Sequence, residues 1–278
     1  MKDLFKLSGQ PKLRSPSLVV GWSTDAGKLG SKVTDYLNKK LGSRDLGEIE
    51  LTDFFPLGGV TIEDDLIQFP ESKFYACPKN DLVIFKGDAP SYEWFKFINL
   101  ILDAAGHYGR VKELYVIGGM VFLGAHTAPR ELLAIFNSLE LKQSLSQYNL
   151  GRNMDYQTPH GQRPTLNSFL SWAARRRNIP GVSLWVPIPF YLVAMEDPKA
   201  QKKLLEFLDQ RFSLQIDFQD IDEEIRKQDE KIAQLRDSSP EIDEYISKLE
   251  SNLRLSEKET EKLVKQIEEL LERKEPGL

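Results

Sequence analysis

The residues of this 278-residue chain that could do chemistry are few: three histidines, one cysteine and a set of glycine turns. The segment Gly21-Trp-Ser-Thr-Asp25-Ala-Gly27-Lys28-Leu29 sits where a phosphate-binding loop would sit. Five residues separate its glycines where a nucleotide loop has four, and Leu29 replaces the hydroxyl that would hold Mg²⁺. An ATP-binding loop is therefore rejected. Two readings stay open. Backbone N–H groups at the following helix start could hold an anion or polar ligand, or the glycines could serve a tight turn. His107, His126 and His160 lack a Cys, His or Glu partner at ligand spacing, so a zinc site has no support. His107 closes a helical pattern, where a cation suits the dipole. His126 and His160 lie in loops beside Pro129-Arg130 and Gly161-Gln162-Arg163. Each is read either as an anion or substrate contact or as a loop residue bonded to backbone. Asp64-Asp65 reads as a solvated acidic pair in a loop, because catalytic carboxylates need opposed geometry. Arg175-Arg176-Arg177 ends a helical pattern without interleaved aromatics and reads as a helix terminus. No Gly-x-Ser-x-Gly elbow is present, and Cys77 has no neighbouring His. No catalytic residue, metal or cofactor is assigned.

The elements that would position these residues follow from apolar runs. Leu18 to Gly21, Asp81 to Phe85, Leu114 to Ile117 and Ser183 to Val186 are short, lack polar alternation and end at Gly, Pro or Lys-Gly-Asp. Such runs suit strands covered on both faces. Leu132 to Phe136 fits a strand or a helix. Leu66 to Cys77, broken at Pro70-Glu71-Ser72, predicts a hairpin on the sheet. Helical patterns cover Lys28 to Leu41, Pro90 to His107 and Leu166 to Arg177. Another opens at Asp197-Pro198 with a capping Asp and Pro at the first position. Strand–helix alternation predicts an α/β protein with helices on both faces of a mostly parallel or mixed sheet.

The last fifth is a different material. From Phe218 to Leu278 there are 11 Lys and Arg against 18 Asp and Glu, while the whole chain has a net charge of −5. Positions 221 to 270, taken alternately four and three apart, are apolar at eleven of fifteen places, which is a heptad seam. Ser239-Pro240-Glu241 and the capping box Ser256-Glu-Lys-Glu259 interrupt it as new helix starts. Two or three packed helices are expected over one rod. The division is residues 1–217 as an α/β/α domain and 218–278 as an acidic helical appendage.

The single cysteine excludes an intrachain disulfide. Met1 to Pro16 has no apolar run of a signal peptide. The uncharged stretch Gly181 to Met195 is too short to span a bilayer. A cytoplasmic protein is expected, with no membrane partner. The acidic balance disfavours nucleic acid.

Several segments line up in order with a known family. They are Leu18 to Leu41 with Gly21, Asp25 and Gly27, and Phe85-Lys-Gly87-Asp88-Ala-Pro90 followed by Trp94 and Phe97. Gly118-Gly119-Met120 comes next, followed by His126-Thr127-Ala128-Pro129-Arg130. Tyr156 to Gly161, Ile179 to Tyr191, Pro198-Lys-Ala, and the region of Tyr245 and Leu249-Glu250 complete the set. Over residues 15 to 253 the chain resembles the proteasome assembly chaperone 2 family, in its bacterial branch. It departs from the pattern at Ala128-Pro129-Arg130, where the family has Arg-Pro. It also lacks a glycine and a threonine in the Tyr156 loop, and has Phe190 where the family often has His. The resemblance implies a three-layer α/β/α fold similar to purine nucleoside phosphorylases. It implies homo-oligomers, trimeric or higher, and relatives tied to proteasome assembly.

Two functions compete. The first is a non-enzymatic oligomeric assembly or scaffold protein with a protein partner. The second is a nucleoside- or phosphate-linked enzyme or binding protein using loops at the carboxyl ends of the strands. Its candidate pocket would comprise Gly21, Asp25, Gly27, Gly87, Asp88, Gly118, Gly119, His126 and Arg130.

Overall fold

Leu18, Val19 and Val20 are all buried although successive strand residues point to opposite faces. Their strand is therefore covered on both sides. In a computed structural model, residues 5–7, 9, 11–56, 61–63, 65–151, 155 and 157–272 are described. In chain order the elements are β1 (Phe5–Leu7), β2 (Ser17–Trp22), α1 (Leu29–Leu41), β3 (Arg44–Ile49), β4 (Thr61–Glu63), β5 (Leu66–Gln68), β6 (Ser72–Cys77), β7 (Leu82–Gly87) and α2 (Trp94–His107). Then follow β8 (Glu113–Phe122), β9 (Leu133–Phe136), α3 (Leu139–Ser144), α4 (Leu166–Arg176), β10 (Gly181–Pro189), α5 (Pro198–Phe212), α6 (Gln219–Ser238), α7 (Pro240–Glu250) and α8 (Glu257–Glu272).

Eight strands form one mixed sheet in the order β1-β3-β6-β7-β2-β8-β10-β9. The four central strands, β7, β2, β8 and β10, run parallel. The flanking pairs are antiparallel. Alternate residues split the core into two layers. Val19, Ile84, Tyr115, Ile117 and Leu184 face α1, α3 and α5 to α8. Leu18, Val20, Phe85, Leu114 and Val116 face α2 and α4. The fold is thus the expected three-layer α/β/α arrangement on a mixed sheet, with helices at the C-terminus.

Two sequence expectations need correction and one open alternative is resolved. Leu66 to Cys77 is no hairpin. β5 pairs with β4 in a separate two-stranded ribbon, whereas β6 pairs with β3 and β7 in the main sheet. The helix expected from Pro90 starts at Trp94, because Glu93 adopts a left-handed φ of 51° and Trp94 Nε1 donates to the Pro90 carbonyl. The expected strand-or-helix at Leu132 to Phe136 is an antiparallel strand, β9.

Among the described residues, the acidic segment holds three helices. The Ser256 cap forms as a capping box: Ser256 N–H donates to Glu259 Oε2 at 2.6 Å, and Glu259 N–H to Ser256 Oγ at 3.4 Å. Seam residues Ile221, Ile232, Ile242, Ile246, Leu249, Leu263 and Ile267 are buried in the same apolar layer as α1 and α5. The seam therefore packs on its own chain. Leu253, also in the seam register, falls in the break between α7 and α8 and is exposed.

Candidate functional site

Of the nine candidate pocket residues, Asp88 lines an open cleft, while Asp25, His126 and Arg130 are bonded to groups of their own chain.

Gly21 and Gly118 lie within β2 and β8, and Gly87 ends β7. At Gly119 a Cβ would meet the Ala26 carbonyl oxygen at 2.1 Å, so only glycine allows the turn after β2 to lie against β8. Gly27 has φ 70° and donates its N–H to the Val193 carbonyl at 2.8 Å. Asp25 joins these parts. Its carboxylate accepts from Gly30 N–H at 3.0 Å, in the first turn of α1, and from Gly119 N–H at 3.0 Å. The helix start that could have held an external anion is thus occupied by the chain's own carboxylate.

Burial pushes the Asp25 pKa up to about 6, against the backbone N–H groups that hold it. The folded value lies above the unfolded one, so the folded chain binds the extra proton between about pH 4 and about pH 6. Stability from this group is present at the acid end of that window and is lost as pH rises through it. Relative to Asp25→Asn, the wild type should lose up to about 3 kcal/mol between pH 4 and pH 7. Urea unfolding of both proteins across that range checks this, and a difference independent of pH would contradict it.

His126 and Arg130 form a second latch. Tyr191 Oη accepts the His126 backbone N–H at 2.5 Å and lies 2.8 Å from its Nδ1. Desolvation, aided by the Lys199 charge, drives the His126 pKa down to about 4, so the ring is neutral near pH 7. Arg130 Nε donates to Asp197 Oδ2 at 2.9 Å, and its Nη1 donates to the Ala128 carbonyl at 2.8 Å. Asp197 Oδ1 in turn accepts from Ala200 N–H and caps α5. A basic pair that could have met an external anion is engaged inside the protein. His107 ends α2, and Arg177, just beyond α4, pairs with Asp103 at 2.6 Å. Of the expected acidic pair, Asp65 is exposed with φ 62°; Asp64, like Tyr156 of the later loop, lies outside the described residues.

Asp88 exchanges backbone bonds with Glu71: Glu71 N–H donates to Asp88 Oδ2 at 2.7 Å and Asp88 N–H to the Glu71 carbonyl at 2.8 Å. It also lines an open cleft of about 470 Å³ beyond the carboxyl ends of β2 and β7. α1 follows β2 on one face and α2 follows β7 on the other, so the cleft sits at a switch in the direction of connection. Asp35, Glu71 and Asp88 line it with Lys86, whose Nζ bonds Asp35 at 3.0 Å and Glu71 at 3.4 Å. Among the described residues, no group of three His, Cys, Asp or Glu is placed to hold a metal ion. No described helix is long and apolar enough to cross a membrane.

The more unusual surface lies beside this cleft. Ile62, Leu66 and Ile67 of the ribbon and Phe69 after it are exposed, Ile62 by 72%. Tyr92, Phe95 and Trp172 are exposed on the α2 and α4 side, and Val121, Phe122 and Leu123 at the end of β8. Ser91 lines both the cleft that holds Phe69 and a cavity of about 500 Å³ lined by Tyr92, Phe95 and Phe169. Phe69 and the aromatic group of Tyr92, Phe95 and Phe169 thus line adjoining cavities. Sequence reasoning missed them, because an apolar residue in a short run reads as core. The one available signal was the acidic stretch of sequence between Ile62 and Leu66, a composition that favours water over a core.

A family model described as the PAC2 family matches residues 18–236. Among solved structures, a PAC2 family protein from Streptomyces avermitilis is 23% identical with a TM-score of 0.68, covering 81% of this chain and 97% of its own. A Mycobacterium tuberculosis protein of unknown function is 21% identical with a TM-score of 0.74, covering 91% and 89%. A Pyrococcus furiosus archaeal proteasome activator is 20% identical with a TM-score of 0.68, covering 84% and 98%. No curated protein matches.

Proposed function

The chain belongs to the PAC2 family, and from that premise we propose that it is a non-enzymatic assembly or scaffold factor that works by binding protein chains. One observation carries the reading. Large apolar side chains gather on exposed surface around the ribbon and the start of α2, while the candidate polar residues are consumed by internal latches. Large apolar side chains left exposed beside charged groups are what a protein interface presents. The similarity in fold to an archaeal proteasome activator and to an archaeal homologue of proteasome-assembly chaperone supports the same class of action. On this reading the protein forms homo-oligomers in the cytoplasm and offers the remaining apolar surface to a further protein. Light scattering of the purified chain at tens of micromolar tests it. A multimer is expected; a monomer that also recovers no protein partner would overturn the reading.

A second reading, a small-molecule site, rests on the cleft at the β2–β7 switch. Among the described lining residues, its cation Lys86 is already bonded to two carboxylates. That arrangement suits a polar or cationic ligand better than a phosphate. Thermal-shift measurements over nucleosides, nucleotides, phosphate and organic amines test it, and no shift from any compound would count against it.

A further inference from the structure

We propose that the β4–β5 ribbon of one copy of this chain seats on the aromatic surface between α2 and α4 of another copy. The inference rests on the oligomeric reading above and assigns its contact.

The ribbon cannot account for its own shape. Ile62 and Ile67 are a directly opposed cross-strand pair, and Leu66 points to the other face. All three are exposed, so neither face has a core. A two-stranded ribbon alone is marginal in water and needs a surface to cover it. The chain carries one suited to it. Phe169 and Trp172 stack at 5.5 Å, and Phe95 lies about 6 Å from both. Arg176 sits over the Trp172 ring at 5.2 Å, and Arg163 over Trp94 at 6.0 Å. Apolar groups edged by Arg163 and Arg176 face apolar groups that adjoin the exposed carboxylate of Asp65. The two surfaces are complementary in polarity and in charge. They do not cover each other within one chain, since Ile67 and Phe95 both remain exposed. A second copy is the partner that brings them together, and it is present wherever the protein is.

Two single variants, Ile67→Cys and Phe95→Cys, test this when mixed under mild oxidation. Both positions are exposed, so the fold is retained, while native Cys77 is buried with its thiol pushed up to about 12 and stays silent. A disulfide-linked dimer formed in the mixture, and not by either variant alone, is the expected result. Dimers formed by either variant alone, or none in the mixture, would overturn the contact. In parallel, Ile67→Asp should weaken self-association at least about tenfold; an unchanged dissociation constant would also overturn it. A wild-type monomer would bring down the oligomeric reading along with this inference. A wild-type multimer without the cross-link would bring down this inference alone.

Discussion

Replacing Asp197 with Ala should lower the stability of the protein by about 3–5 kcal/mol. The Arg130 and Asp197 side chains are 4% and 0% exposed, and Arg130 Nη2 lies 2.9 Å from Asp197 Oδ2. Removing the carboxylate strands a guanidinium where water cannot solvate it, because the cation cannot shed its proton. The same substitution removes the α5 cap, which contributes about 1 kcal/mol. The two effects separate in a double variant. Arg130→Met with Asp197→Ala removes the stranded charge and should recover most of the loss, leaving the cap. Urea unfolding of the wild type, both single variants and the double variant measures the coupling. Additive single effects would show that the ion pair is not what holds the 125–130 loop to α5.

Ending the chain after Phe218 should lower solubility or change the oligomeric state. We propose that residues 1–217 form the α/β/α body and that residues 218–278 dock on it as a helical appendage. Eight buried core residues, Ile221, Ile232, Ile242, Tyr245, Ile246, Leu249, Leu263 and Ile267, lie in α6 to α8. Each such burial contributes about 1.5–3 kcal/mol before chain entropy is counted. Their removal uncovers part of the apolar layer they share with α1 and α5. It also removes Asp220, whose carboxylate accepts from Tyr36 Oη at 2.6 Å. A truncated protein unchanged in solubility and in sedimentation would refute the docking role of the helices.

The legible parts of the fold were those whose physics is local. The central strands declare themselves because both faces are covered, so Leu18-Val19-Val20 and Leu82 to Phe85 read as unbroken apolar runs. The break at Ser239-Pro240 and the capping box at Ser256 were readable because a helix start is specified within four residues. β3 was not readable: Arg44-Asp-Leu-Gly-Glu-Ile49 is a flanking strand with exposed charges and an internal glycine. The ribbon was misread because Leu66-Ile67 looks like core until its partner strand is known. The bonds that hold the candidate site residues are long-range for a related reason. Tyr191 lies 65 residues from His126, and Asp197 lies 67 from Arg130, so their mutual satisfaction is invisible along the chain. Asp25, a candidate polar group of the pocket, accepts from the protein's own Gly30 and Gly119 N–H groups.

The central claim is that this chain acts through an exposed apolar surface around the β4–β5 ribbon and the start of α2. Amide hydrogen exchange of the full chain, measured at a concentration below and one above its association midpoint, tests it most directly. Exchange in residues 61–69, 91–95 and 169–172 should slow at the higher concentration while the rest of the surface is unchanged. Identical exchange in those segments at both concentrations would contradict the account.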